Sequence, residues 1–208
     1  MRHPTMVRVT HGINAVAFAA LLISGGAILV AHPRFYWGET GYFEMPAAFE
    51  LPLTVDPAHT GWGRSLHFLA AWIVTLNAGA YWLWGALAGH FRHHLVPARS
   101  ELGWRALAAA VKQHLTGKVR RRGAEYNVLQ KTAYIGVIFA LPLVLLLSGL
   151  TMSPAVTAAW PWLFALFGGR QSARTIHFFA AAISVAFLMV HLGMAWLTRK
   201  EDSLEHQA

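Results

Sequence analysis

His177 and His191 lie fourteen residues apart inside one uncharged stretch, Thr175 to Thr198. Fourteen residues is just under four helical turns. A helix there brings both imidazoles within about 40° of one face and about 21 Å apart along the axis. Imidazole is a strong metal ligand, and histidine inside lipid is costly and rare enough to mark function. Such a helix offers one ligand towards each side of a bilayer. Two more histidines sit in apolar segments, His11 at the start of one and His67 near the start of another.

Three of these four histidines follow an arginine by three residues: Arg8-Val-Thr-His11, Arg64-Ser-Leu-His67 and Arg174-Thr-Ile-His177. Residues i and i+3 share a helix face. Each arginine then lies one turn nearer the aqueous surface, where the propionates of a haem would sit, and arginine pairs well with carboxylates. The blander account is that these arginines mark span ends and snorkel to water. Two imidazoles on opposite faces of a macrocycle hold its iron six-coordinate, and helices of a bundle can supply them. Four histidines, three of them with an outward arginine, therefore point to two haem b groups rather than a bare ion. The small residues in Leu22-Ile23-Ser24-Gly25-Gly26 and Leu147-Ser148-Gly149 fit close approach of a helix or of a flat macrocycle. The His90, His93, His94 cluster is read as solvated or at lipid headgroups.

The elements that must carry these ligands follow from composition. Of 208 residues 56% are hydrophobic and only 12% charged, about half the charge of a soluble domain. The fold class is all-α integral membrane, a four-transmembrane-helix bundle forming one membrane domain over 1–208. Its spans are placed at about 11–31, 64–89, 127–152 and 174–198, each long enough to cross the hydrocarbon. Residues 153–169, with Trp160 and Trp162, are read as an outer hairpin or interfacial segment. With no cysteine, disulfides, thiolate metal sites and covalent haem attachment are excluded.

Charge orients the spans. The 90–131 loop holds Arg92, Arg99, Arg105, Lys112, Lys118, Arg120, Arg121, Arg122 and Lys131 against two acids, whereas the 32–64 loop holds Arg34 and Arg64 against Glu39, Glu44, Glu50 and Asp56. Positive-inside bias places both termini and the basic loop in the cytoplasm. The net charge of +8 is thus a mark of membrane orientation, not of nucleic-acid binding. Two same-level pairs result: His11 with His191 towards the cytoplasm, and His67 with His177 towards the periplasm. Within the basic loop, Leu102, Ala106, Leu107, Ala110, Val111 and Leu115 recur at helical spacing, which predicts an amphipathic interfacial helix in the 90–126 loop. It would anchor to anionic lipid or dock a partner subunit. The long aromatic loop from His32 is expected to pack on the outer surface as a cap or a partner contact.

With these residues in place, the chain resembles the bacterial cytochrome b-561 and nickel-hydrogenase cytochrome b family over essentially its whole length. The resemblance rests on Arg8-x-x-His11, His67, the His177–His191 pair and Tyr126-Asn127-x-x-Gln130-Lys131-x-x-Tyr134. It implies a four-helix core in which one haem takes His11 and His191 and the other His67 and His177. It also implies electron exchange between quinone and a partner enzyme. By analogy with a related formate dehydrogenase subunit, the quinone pocket falls near His191, with Asn14 and Gly193 as candidates. The segment His32-Pro33-Arg34-Phe35-Tyr36-Trp37-Gly38-Glu39 resembles a subgroup that includes thiosulfate-reductase-like cytochrome b subunits of molybdopterin oxidoreductases, which would dock on the periplasmic face. No fifth span of the kind some hydrogenase-type members carry is read.

The expected function is therefore a multi-pass di-haem cytochrome b of the bacterial inner membrane, an electron-transfer subunit of an oxidoreductase. It would relay electrons between the quinone pool and a periplasmic redox protein, the favoured partner being a molybdopterin oxidoreductase. Self-association as a homo-oligomer is compatible with this reading. One alternative is a stand-alone quinone reductase fed by a small donor such as superoxide. The other is a histidine-based metal transporter, for which intramembrane Asp or Glu are missing from the spans.

Overall fold

The first apolar stretch is one continuous helix, α1 (Thr5–Ala31), in the computed structural model, which describes residues 4–42, 44–91 and 135–205. Pro4 precedes its first turn, so α1 starts earlier than the apolar pattern alone predicts and takes in Arg8. It stops at His32, whose extended φ of -141° is what a following proline favours. A short 3-10 turn, Pro57–His59, is capped by the Asp56 carboxylate, which accepts from the Ala58 N–H at 3.0 Å. It leads into α2 (Thr60–Leu87).

The chain divides into two compact units, one of Met1–Pro33 and Glu50–Ile138, the other of Arg34–Phe49 and Phe139–Ala208. In the first, Ser24 stands opposite His67 and Asn14 opposite Asn77, so α1 and α2 run antiparallel. The buried residues of α1 include Thr10, Ala17, Ser24 and Ala31, each seven after the last. Their buried counterparts on α2 include Gly63 and Ala70, again one heptad apart. A seven-residue seam of small side chains lets two backbones approach closely without a large apolar core. Gly63 marks the tightest point: a Cβ there would stand 3.0 Å from the Ala27 Cβ.

A π-helical turn, Gly136–Ala140, at the boundary of the two units runs into α3 (Leu141–Thr151) of the second. Two short helices follow, α4 (Pro154–Ala159) and α5 (Pro161–Phe167). Each opens on a proline, which costs nothing where the N–H has no intrahelical partner. They occupy the segment read above as a hairpin or interfacial segment after the third span. Gly168 and Gly169, at φ +67° and +107°, turn the chain into α6 (Arg170–Glu205). At 36 residues α6 is about 54 Å long and outruns the uncharged stretch at both ends.

The aromatic loop packs onto the start of α6, as a cap would. Two short strands, β1 (Arg34–Phe35) and β2 (Phe49–Glu50), pair there. Phe35 and Tyr36 are buried, and Phe35 stacks on Phe49 at 4.6 Å and against Phe178 at 4.6 Å. The Gly38 carbonyl accepts from the N–H groups of Gln171 and Ser172 at 3.1 and 3.2 Å, and the Gly38 N–H donates to the Ser172 hydroxyl at 2.7 Å. These bonds satisfy first-turn donors that a helix leaves open. Thr175 completes the seam by donating to the Tyr36 carbonyl at 2.8 Å.

Among the described residues, three helices are long and apolar enough to cross a membrane: Thr5–Ala31, Pro57–Leu87 and Arg170–Trp196. The third expected span is helical over Gly136–Thr151; its first residues, with the Tyr126–Tyr134 motif, fall outside the described residues. The amphipathic helix and the His93–His94 part of the loop cluster also lie outside them.

Candidate functional site

The two units repeat one arrangement. In the first, His67 on α2 meets Ser24 on α1, with 3.0 Å between Nδ1 and Oγ. The Ser24 hydroxyl donates back along its own helix to the Ala20 carbonyl at 2.6 Å, with Leu21 at 3.2 Å. In the second, His177 on α6 meets Ser148 on α3, again with 3.0 Å between Nδ1 and Oγ. Ser148 donates back to the Val144 carbonyl at 2.6 Å, with Leu145 at 3.2 Å. Both serines are fully buried. The next residue is glycine each time. A Cβ on Gly25 would lie 3.7 Å from the His67 Cε1, and one on Gly149 would lie 3.5 Å from the His177 Cε1. Each imidazole thus rests on a bare serine–glycine step.

The helix lengths place the remaining histidines. Level with His67 stands Ser24, thirteen residues beyond His11 on α1, or about 20 Å along the axis. His177 and His191 on α6 are about 21 Å apart on the same rule. Each unit by itself therefore carries two histidines at two levels with nearly the same spacing. His67 and His177 are half-buried, whereas His11 and His191 lie on exposed helix faces. The His191 ring stacks on Phe187 at 6.0 Å and 16°.

The arginines differ from one another. Arg8 and Arg64 are exposed, free to reach outward along their helices. Arg174 is more enclosed, with its guanidinium 4.9 Å from the centre of the Phe35 ring, so the loop covers it from one side. Asn14 is held: its Oδ1 accepts from the Asn77 amide at 2.7 Å, and the same amide donates to the Thr10 carbonyl at 2.8 Å. Gly193 is exposed, with open space where a Cβ would stand.

Sequence reasoning singled out the histidines but passed over Ser24, Ser148 and Asn77 as contacts. A signal for the serines was present. Arg64–Ile73 and Arg174–Ile183 share arginine, histidine, phenylalanine, two alanines and isoleucine at matching places, and their Ala70 and Ala180 are both buried. Set beside the Ser24-Gly25 and Ser148-Gly149 echoes, that internal repeat places one serine opposite each histidine.

Comparison with known proteins gives a consistent picture. A family model described as prokaryotic cytochrome b561 matches residues 2–204. A protein of Azospira oryzae named as a protein-methionine-sulfoxide reductase subunit, YedZ1, is 33% identical over 199 residues, which cover 94% of this chain and 90% of the relative. Two proteins named as Ni/Fe-hydrogenase B-type cytochrome subunits are more distant. The one from Azotobacter chroococcum is 26% identical over 82% of this chain and 75% of the relative. The one from Cupriavidus necator is 24% identical over 97% of this chain and 80% of the relative.

Proposed function

The chain belongs to the prokaryotic cytochrome b561 family, and we propose that it is a di-haem member relaying electrons between membrane quinone and a redox enzyme on the periplasmic side. The family makes it an electron-transfer subunit of an oxidoreductase that works with b-type haem. The proposal adds the number of haems, their ligands, the quinone and the partner.

One observation carries it: each unit holds two histidines about 20 Å apart along the helix axis, and the more buried of the two rests on a serine–glycine step. These residues fit the group. Imidazole is the ligand that a six-coordinate b-type iron needs. The glycines leave the flank of each ring without a side chain. When bound, such an iron passes single electrons, while the protein supplies ligands, spacing and a low dielectric.

His67 and His177 are assigned to the periplasmic-side iron, and His11 and His191 to the cytoplasmic-side iron. That pairing rests on charge topology and on the family resemblance. Arg64 and Arg174 are assigned to propionates at the outer level, and Arg8 at the inner. Arg174, lying against Phe35, would hold a propionate under the aromatic loop. Four spans, both termini in the cytoplasm and a place in the inner membrane complete the reading.

The partner is inferred from the relative of greatest identity quoted above. This chain spans 90% of a protein named as a reductase subunit but 75–80% of those named for hydrogenase. A periplasmic reductase, of the molybdopterin class by resemblance, is therefore favoured over a hydrogenase. Quinone is placed at the inner level near His191, with Gly193 and Asn14 as candidate contacts.

Haem content tests the ligand assignment. Purified wild-type protein should show b-type bands and two haems per chain. His67→Ala and His177→Ala should each lose the same haem, and His11→Ala and His191→Ala the other. Two haems retained in His177→Ala protein would rule the assignment out. Co-purification with a hydrogenase instead of a reductase would overturn the partner.

A further inference from the structure

We infer that Ser24 and Ser148 are the positioning residues of the outer haem ligands, holding His67 and His177 in the Nδ1-protonated tautomer that turns the Nε2 lone pair towards iron; the inference rests on the ligand assignment proposed above. A hydroxyl has one proton to give. In both serines that proton is committed to a carbonyl one turn back, at 2.6 Å in each case. The oxygen is left as an acceptor, so the imidazole atom 3.0 Å away, Nδ1, must carry the proton. In a neutral ring the lone pair then belongs to Nε2.

The serine also acts through the ring on the metal. An acceptor on Nδ1–H makes the imidazole a stronger donor and fixes its plane, and loss of such outer contacts commonly weakens metal binding by about 10–100-fold. A better donor favours the ferric state. Removing the hydroxyl should therefore raise the midpoint potential of the haem that the ring ligates. Because the same geometry occurs in both units, the two serines should move the same haem in the same direction.

The test is a spectroscopic redox titration of the purified full-length protein, with the signal of each haem assigned from the histidine variants. Ser24→Ala and Ser148→Ala should each raise the midpoint of the haem lost in His67→Ala and His177→Ala. The expected shift is severalfold in the reduced-to-oxidised ratio at fixed potential, up to about tenfold, which is about 59 mV for one electron. The other haem should not move. Ser24→Cys and Ser148→Cys keep the volume and offer sulfur, a weaker acceptor. They should give smaller shifts of the same sign and remain informative where an alanine variant fails to assemble. Ser184→Ala is the control, since Ser184 is buried on α6 and back-bonds to the Ala180 carbonyl at 2.9 Å. Midpoints of the Ser24 and Ser148 variants equal to that control, or shifts on the haem lost in His191→Ala, would overturn the role of the serines alone. Wild-type protein without b-type bands would overturn the haem reading itself.

Discussion

Asn77 uses both amide hydrogens, one on the Thr10 carbonyl at 2.8 Å and one on the Asn14 side chain at 2.7 Å. A polar pair between apolar helices is a clamp, since neither amide finds water in lipid. Hydrogen bonds of this kind in membrane helices contribute about 0.6 kcal/mol on average and up to about 1.7. Asn77→Leu and Asn14→Leu should each lower the thermal midpoint in detergent. The double variant should cost little more than the worse single one, because both remove the same bond. A fully additive cycle would show that the two side chains act apart. At this scale the sequence is uneven. Histidine announces itself in an apolar run because it is costly there. Ser24 and Ser148 do not, because a serine beside glycine in a membrane helix reads equally well as a packing residue, and only the helix opposite reveals what its oxygen meets.

Elements were legible where apolar length decided them, and less so where the helix start depended on a single residue. Pro4 moves the start of α1 outward, and Gly168–Gly169 set the start of α6 four residues before Arg174. The seam of α1 and α2 needs both sequences at once: Gly63 is an ordinary helix residue until Ala27 is seen 3.0 Å from where its Cβ would stand. Gly63→Leu should push the helices apart one turn from His67 and free that ring from Ser24. Haem content should then fall at the outer level alone, whereas Gly61→Leu, where a Cβ has open space, should leave both haems. A second element-level device lies at the π-helical turn. Pro142 has no N–H to return to the Ile138 carbonyl one turn back, and the Trp82 indole N–H donates to that oxygen at 3.2 Å instead. Trp82→Phe leaves the carbonyl without this donor, a loss of about 1–3 kcal/mol where the group is desolvated. Pro142→Ala supplies a backbone donor, so Trp82→Phe should cost less in that background when unfolding is followed in detergent. Equal costs in the two backgrounds would mean that a backbone donor at 142 does not take the place of the indole.

At the scale of the whole molecule, two helix pairs carry the same Arg-x-x-His and Ser-Gly elements, and charge asymmetry is the ground on which their orientation is proposed. On the pairing proposed above, each pair would contribute one histidine to each haem, so neither pair would complete a bis-histidine site from its own histidines. That logic makes the two levels separable by mutation. If the outer level faces the partner enzyme and the inner level faces quinone, His191→Ala protein should retain the outer haem, and a reduced partner should still reduce it in a single turnover. Onward transfer to quinone should fail, because the histidines that would hold the second iron lie about 20 Å further along the axis and one of them is gone. His177→Ala should invert the result: the partner reduces nothing, while quinol still reduces the remaining haem. Reporter fusions at residue 208 and in the 37–42 segment fix which level faces which side, the first expected in the cytoplasm and the second in the periplasm. A His191→Ala protein that still passed electrons from partner to quinone would place both exchanges at the outer level. The inner pair would then need another role.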